Sequence, residues 1–267
     1  MMEFSFEYWY VFPAAVFVAT VANASGFSGG VLFQPFFNFV LHLPLGQSIA
    51  TGIATETVGM SSGAYRYQRM KQIDWKAVRK TLPPIIVGVF AGLFIFCYAP
   101  RLLLRMIVGL VVAAIAIRQL VFVSQRSVGI HRHANLVALG RRRWTSFVAG
   151  VFSACTGTGV AELHQPLFEQ TGGLRTKSAN ATAIAVEAIA DWTITLVNLS
   201  LGNLRFDVLV FSISGVLLGA QLGAVISPYV PDRLLKTVFS LCVLSIGLIY
   251  VITSLKSFSV GLYHVSP

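Results

Sequence analysis

Two glutamates lie near the centres of apolar stretches that are long enough to cross a membrane. Glu56 and Glu187 each end the phrase Ala-Thr-x-Ile-Ala-x-Glu, which also contains Thr51 and Thr182. An ionisable side chain at that depth costs roughly 3 kcal/mol to insert and by default indicates an ion pathway or a proton relay. We interpret both glutamates, with their threonines, as proton-coupling residues or as scaffold that holds a broken helix in shape. A permanently charged glutamate would repel an anionic substrate.

Asp191 adds a third acid to only one of these stretches. It follows Glu187 by one helical turn and shares its face, whereas Met60 stands at the corresponding place after Glu56. This spacing predicts a shared-proton pair of Glu187 and Asp191.

Glycine and hydroxyl residues interrupt two other apolar runs. A helix that restarts after such a break directs free amides and about half a positive charge forward, which favours a backbone-built anion site near the bilayer midplane. Irregular backbone at that depth must be buried by protein or line a watery cavity. The alternative is that small residues only let helices pack closely. The predicted substrate-binding residues are Ser25, Gly26, Ser28 and Gly29 in the first break and Thr156, Gly157, Thr158 and Gly159 in the second.

Gln34 and Gln165 follow the two breaks, and each precedes a proline. A glutamine amide donates two hydrogen bonds, which suits an oxyanion, so both are predicted to bind substrate. The alternative is that each amide bonds the carbonyl that its own proline leaves free.

These features recur at one constant offset of 131 positions (165 minus 34, for example), without a gap. A duplicated unit with buried acids and broken helices is typical of a secondary transporter. Repeated pairs include Gln34 and Gln165, Pro35 and Pro166, Phe37 and Phe168, Thr51 and Thr182, Glu56 and Glu187, Gly88 and Gly219, and Pro100 and Pro231.

The composition is that of an integral membrane protein, because 55% of the 267 residues are hydrophobic and only 11% are charged. We predict an all-α fold with a first membrane repeat at 8–123, a basic cytoplasmic linker at 124–143 and a second repeat at 144–254. No cleavable signal is recognised. The three cysteines show no paired spacing and predict neither a disulfide nor a zinc site.

The net charge of +10 is concentrated beside predicted spans, at 66–80 and in the linker, so it predicts cytoplasmic orientation and lipid contact rather than nucleic-acid binding. The loop at 197–211, which corresponds to 66–80, carries one arginine and one aspartate. Equivalent loops are therefore expected on opposite sides. This predicts inverted repeats, each with one re-entrant segment and about three full transmembrane helices, while a parallel eight-span duplication is the rival.

Some polar residues of the half-helices have no equivalent in the other repeat, and they are candidates for what makes the halves unequal. They are Asn38, Glu162, His164 and Glu169. His164 alone is interpreted as a hydrogen-bonded interior residue. Arg118 is expected to reach outward to the lipid headgroups.

The chain from about Phe12 to Leu255 resembles the TauE/SafE sulfite exporter family, also called the toluenesulfonate uptake permease family, and the likeness is most specific in the first repeat. The likeness is carried by 26–30 with Gln34 and Pro35, by 50–56, and by the basic stretch ending at Asp74 and Trp75. The second repeat departs from the usual glycine-rich pattern at Val160 and Ala161.

The resemblance implies a multi-pass carrier in the bacterial inner membrane for sulfite, sulfonate or a related sulfur-containing organic anion, working by alternating access. It implies no enzyme activity and no cofactor; its partners are the anion and membrane lipid, and homodimerisation is left open. The alternative is a membrane-embedded metal-handling protein or enzyme that uses Glu56, Glu187, Asp191 and His164.

Overall fold

The computed structural model describes residues 6–25, 28–122, 133–226 and 232–263. Gly26, Pro231 and residues 124–132 of the predicted linker lie outside this part. After a short 3-10 turn (Phe6–Tyr8), the first repeat consists of α1 (Val11–Ser25), α2 (Gly30–Pro35), a π-helical turn (Phe36–Val40), α3 (Leu45–Arg69), α4 (Trp75–Tyr98) and α5 (Arg101–Phe122). The linker contributes α6 (Leu136–Arg141). The second repeat consists of α7 (Arg143–Thr156), α8 (Val160–Pro166), a π-helical turn (Leu167–Thr171), α9 (Thr176–Ser200), α10 (Phe206–Ile226) and α11 (Asp232–Tyr263).

The described chain is helical, as predicted, and its helix bounds repeat at the offset of 131. Residues 45–69 of α3 correspond position by position to 176–200 of α9. Both α2 and α8 end at a proline and continue as a π-helical turn, because a proline ring removes one amide donor and displaces the carbonyl four residues earlier.

Several helices have the length and outward apolar surface of membrane spans. Trp75–Tyr98, Thr176–Ser200 and Phe206–Gly223 are long and apolar enough to cross a membrane, whereas Val11–Asn23, Gly30–Val40 and Ser240–Leu255 are shorter apolar segments. Phe94, Leu218 and Val225 are 65%, 54% and 57% exposed. Side chains this apolar and this exposed are typical of a lipid-facing surface.

The first helix of each repeat packs against a helix of the other repeat: α1 packs against α10, and α7 packs against α4. Gly88 lies against the Phe147 carbonyl and Gly92 against the Val151 carbonyl, so α4 and α7 run parallel. Gly215 and Gly219 meet the Phe12 and Val16 carbonyls in the same order, so α1 and α10 are also parallel. A side chain at any of these glycines would separate the two backbones.

The Glu-bearing helices α3 and α9 cross each other in opposite directions. Thr57 bonds Thr195 at 2.8 Å, and Trp192 donates to Ser61 at 3.0 Å. The contacts between α3 and α10 advance in the same direction along both helices. Thr55 bonds Ser212 at 2.8 Å and Gln221 donates to Ser62 at 3.4 Å, so α3 and α10 are parallel. The centres of α3 and α9 therefore meet in the interior.

Candidate functional site

The two helix breaks lie next to each other in the interior. Gly157 and Gly159 adopt φ angles of +68° and +128°, which side chains other than glycine rarely accept, and they turn the chain from α7 into α8. A Cβ atom at Gly30, the first residue of α2, would collide with the Gly157 carbonyl oxygen. The backbone of one break therefore touches the backbone of the other.

A single carboxylate joins the breaks. Glu162 Oε1 accepts a hydrogen bond from the Ser28 amide at 3.2 Å, and its Oε2 accepts one from the Gly159 amide at 3.0 Å. Charge-assisted bonds of this kind are roughly twice as strong as neutral ones. Glu162 therefore acts as the scaffold that the sequence analysis considered for Glu56 and Glu187.

Two expectations differ from this arrangement. The amides of Ser28 and Gly159 are not free, because Glu162 supplies an anion from within the chain. Arg118 does not extend to the headgroups: its guanidinium donates to the Glu162 carbonyl at 3.0 Å. Partial burial of a cation near the end of a spanning helix is costly, and the carboxylate and carbonyl of Glu162 offset that cost.

Three further acids form what we call the acid cluster: Glu56, Glu187 and Asp191. One carboxylate oxygen of each lies within 4.8 Å of those of the other two. The three side chains are 3%, 0% and 1% exposed. Asp191 thus meets Glu56 of the other repeat as well as Glu187, which extends the predicted acid pair to a group of three.

Hydrogen bonds fix one side of the acid cluster and leave the other side unpartnered. Ser28 donates its hydroxyl to Glu56 Oε1, and Ser153 donates to Asp191 Oδ1 at 3.5 Å. The Ala161 amide faces Glu187. No donor in the described part of the chain reaches Glu56 Oε2, Asp191 Oδ2 or either oxygen of Glu187 with hydrogen-bond geometry.

This arrangement is electrostatically unfavourable if all three acids are ionised. Two unit charges 4.8 Å apart repel by about 3 kcal/mol at an effective dielectric constant near 20. The ion pair of Arg205 with Asp207 and the contact of His133 with Asp74 both lie outside the acid cluster. The cluster therefore needs positive charge from elsewhere, carried by protons or by a cation.

The predicted donors around the breaks differ in their availability. Gln34 is 1% exposed and its Nε2 has no hydrogen-bond partner. The Thr158 hydroxyl lies beside Glu162 without hydrogen-bond geometry. Thr156 is already used, because its hydroxyl bonds the Phe152 and Thr158 carbonyls at 2.8 and 3.1 Å.

The remaining predicted residues contribute less to the site. Ser25 ends α1, Gly29 is buried immediately before α2, and Gln165 is partly exposed in α8. His164 bonds Ser146 at 2.9 Å and the Val160 carbonyl at 2.9 Å, as expected for a hydrogen-bonded interior residue. It is not part of the acid cluster, so the alternative metal site reduces to the three carboxylates.

Thr51 and Thr182 form a matched pair of contacts between the repeats. The Thr51 hydroxyl accepts from the Arg205 amide at 3.2 Å, and the Thr182 hydroxyl accepts from the Asp74 amide at 3.0 Å. Asp74 and Arg205 directly precede α4 and α10, so each contact fixes the start of one of these helices to the other repeat. Both threonines therefore connect the two repeats by a hydrogen bond.

From the sequence, Glu162 is recognised as a polar residue of the second half-helix but not as part of the site, and Ser153 is not recognised at all. Glu162 stands three residues after Gly159, which is the spacing of a carboxylate that returns to cap the start of its own helix. That spacing could have identified the Gly159 contact. Ser153 lies one helical turn before Gly157 and has no local signal.

A helical protein with apolar outer faces and a buried acidic centre between broken helices belongs to the class of membrane transporters. Residues 11–250 match the family model described as sulfite exporter TauE/SafE, so this chain belongs to that family and the predicted family is confirmed. The family consists of membrane transporters of sulfite and related sulfur anions, which agrees with the expectation that the chain is not an enzyme. No curated protein and no solved structure matches the chain significantly.

Proposed function

We propose that this chain is a secondary carrier that moves sulfite, a sulfonate or a related sulfur-containing organic anion across the bacterial inner membrane by alternating access. Membership of the TauE/SafE family supplies the substrate class. The observation that carries the proposal is the meeting of two helix breaks, one from each repeat, at a buried polar centre. Broken helices at a repeat interface are where secondary transporters bind their substrates.

We also infer that the two repeats are inverted. α1 is parallel to α10 and α10 is parallel to α3, whereas α9, the equivalent of α3, runs antiparallel to it. α3 and α4 are joined by only five residues, 70–74, so spanning helices at these positions point in opposite directions. α7 is parallel to α4 and is therefore opposed to its equivalent α1. These directions favour inversion over the parallel eight-span duplication.

The same contacts support our proposal of a re-entrant first segment. Gly30 lies against Glu56 and Gly52 lies against Gln34, so α2 runs antiparallel to α3. Since α1 and α3 share a direction, α2 returns toward the side from which α1 enters. α1 has 15 residues, about 22 Å of helix, which is short for a hydrocarbon core of about 30 Å.

The distribution of basic residues supports a multi-pass orientation with the 66–80 connection in the cytoplasm. The start of α4 contacts the linker there, because Asp74 Oδ2 accepts a hydrogen bond from the Ala134 amide at 2.8 Å. Basic residues next to spans favour the cytoplasmic side and anionic lipid. The cations assigned to this side are Arg66, Arg69, Lys71, Lys76, Arg79, Lys80, Arg141, Arg142, Arg143, Arg175 and Lys177.

For the substrate site, we propose that the anion binds beside the acid cluster, at the junction of the breaks. Gln34 Nε2 is a buried donor without a partner, and the Thr158 hydroxyl lies beside Glu162 without hydrogen-bond geometry. Both are the proposed donors to the oxyanion. The acid cluster must carry compensating positive charge while the anion is bound, because three ionised acids would repel it. Loading of this charge is the proposed coupling step.

Counterflow in proteoliposomes tests this function. Vesicles are loaded with unlabelled sulfite and diluted into labelled sulfite, with protein-free vesicles as the control and methanesulfonate and sulfate as competitors. A carrier accelerates label entry saturably, whereas a channel gives no counterflow. Saturable counterflow of sulfite or a sulfonate is the expected result. Metal-dependent chemical conversion, or no counterflow with any sulfur anion, would contradict the proposal.

A further inference from the structure

We propose that the acid cluster, Glu56, Glu187 and Asp191, binds one divalent metal cation of the hard, oxygen-preferring class. The three side chains are at least nine-tenths buried, and four of their oxygens have no hydrogen-bond partner in the described structure. A buried charged oxygen without a donor is costly, and coordination to a metal removes that cost. The role of this metal site in coupling rests on the proposed carrier function, but metal binding itself can be measured without transport.

The hydrogen bonds around the acid cluster resemble the outer shell of a metal site. Ser28 donates to Glu56 Oε1 and Ser153 makes a long bond of 3.5 Å to Asp191 Oδ1. The second oxygen of each has no donor with hydrogen-bond geometry in the described structure, although the Gly30 amide faces Glu56. Outer-shell donors of this kind orient the ligands of metal sites. Glu162 is the internal comparison: it is 4% exposed and lies at the same breaks, but backbone amides bond both of its oxygens. The fold can therefore satisfy a buried acid here, yet it leaves the acid cluster open.

A backbone oxygen adds to the same place independently of the acids. The Cα of Gly30 lies against both Glu56 Oε2 and the Gly157 carbonyl oxygen, because a Cβ there would collide with both. These two oxygens are therefore neighbours. Gly157 caps the carbonyl end of α7, where the helix dipole favours a cation. In transporters, carbonyl ends of interrupted helices coordinate the coupling cation.

Charge favours a divalent over a monovalent ion. A monovalent cation would leave two uncompensated charges among three carboxylates, whereas a divalent cation leaves one. The ligand oxygens lie within 4.8 Å of one another. Opposite oxygens are about 4.6 to 5.2 Å apart around Ca²⁺ and about 4.0 to 4.2 Å apart around Mg²⁺, so this limit allows one ion of either kind to contact all three acids.

Manganese binding to the purified full chain tests this inference. Protein in detergent is stripped with EDTA, exchanged into chelator-free buffer and titrated with Mn²⁺, and free Mn²⁺ is measured by its electron paramagnetic resonance signal. We expect one Mn²⁺ per chain, with at least a tenfold loss of affinity in Glu187→Gln and in Asp191→Asn. The control is Asp207→Asn, an acid paired with Arg205 outside the acid cluster, and it should bind like the wild type.

Competition keeps the test decisive if the cluster variants do not fold. Ca²⁺ should displace Mn²⁺ from the wild type at a similar concentration, while Na⁺ and K⁺ in hundredfold excess should not. The inference is overturned if the wild type binds no stoichiometric Mn²⁺, if both folded variants bind it unchanged, or if Na⁺ displaces it as readily as Ca²⁺. Sulfite counterflow without Mn²⁺ binding would overturn this site alone, and Mn²⁺ binding without counterflow of any sulfur anion would overturn the carrier function alone.

Discussion

Replacing Gly30 with alanine should both destabilise the protein and stop transport. A methyl group at this position would lie closer than 3.0 Å to Glu56 Oε2 and to the Gly157 carbonyl oxygen. The carboxylate could rotate away, but the carbonyl belongs to the backbone of the other repeat and moves only if the two breaks separate. Relief of the clash therefore requires a change in the site itself.

Overpacking of this kind costs about 1 to 3 kcal/mol. For a chain of this size, each kcal/mol corresponds to about 2 to 4 °C in melting temperature, so we expect a decrease of about 2 to 12 °C. The matched control is Gly46→Ala in the first turn of α3, where the nearest atom, at 3.5 Å, is the tip of the Phe96 ring. Melting of detergent-purified protein and sulfite counterflow are measured for both variants. If Gly30→Ala melts and transports like Gly46→Ala, the proposed contact between the breaks is refuted.

Three further substitutions test the scaffold. Glu162→Ala removes the acceptor of two backbone amides, so it should cost more than about 1.5 kcal/mol of unfolding free energy; a melting temperature equal to that of the wild type would contradict the bridge. Thr182→Val leaves the buried Asp74 amide without its acceptor, so it should lower the free energy of unfolding by about 1 to 3 kcal/mol in denaturant. The Mn²⁺ affinity should stay unchanged, and a large change in it would place the threonine in the site instead. Gly88→Ala forces a methyl group onto the Phe147 carbonyl and should lower the melting temperature. In the control Gly63→Ala, the nearest atoms are 3.5 Å or more from the added methyl group, so the melting temperature should not fall. Equal effects of the two substitutions would refute the close packing of α4 and α7.

The sequence predicts well those features that depend on a single segment of the chain. Apolar runs with glycine breaks predict the broken helices, and the constant offset predicts that α3 and α9 have equivalent bounds. The depth of Glu56 and Glu187 follows from their central positions in these helices. These are properties of one segment at a time, so no knowledge of packing is needed.

The composition of the site could not be predicted in the same way, because it depends on contacts between repeats. Asp191 meets Glu56 only because α3 and α9 cross in opposite directions near their centres. Ser28 and Glu162 are far apart in sequence and meet only where the two breaks touch. The inward course of Arg118 likewise depends on the carbonyl that α8 presents to α5. The predicted pocket of free amides is, in the structure, an acidic centre.

The position of the bound anion is the most direct test of a substrate site at the junction of the two helix breaks. Selenite is a heavier analogue of sulfite, and its anomalous X-ray scattering locates it in a crystal of the liganded protein. We expect one peak per chain at the junction of the breaks, beside Gln34 and Thr158 and next to the acid cluster. A peak at another place, at a selenite concentration that saturates counterflow, would contradict it.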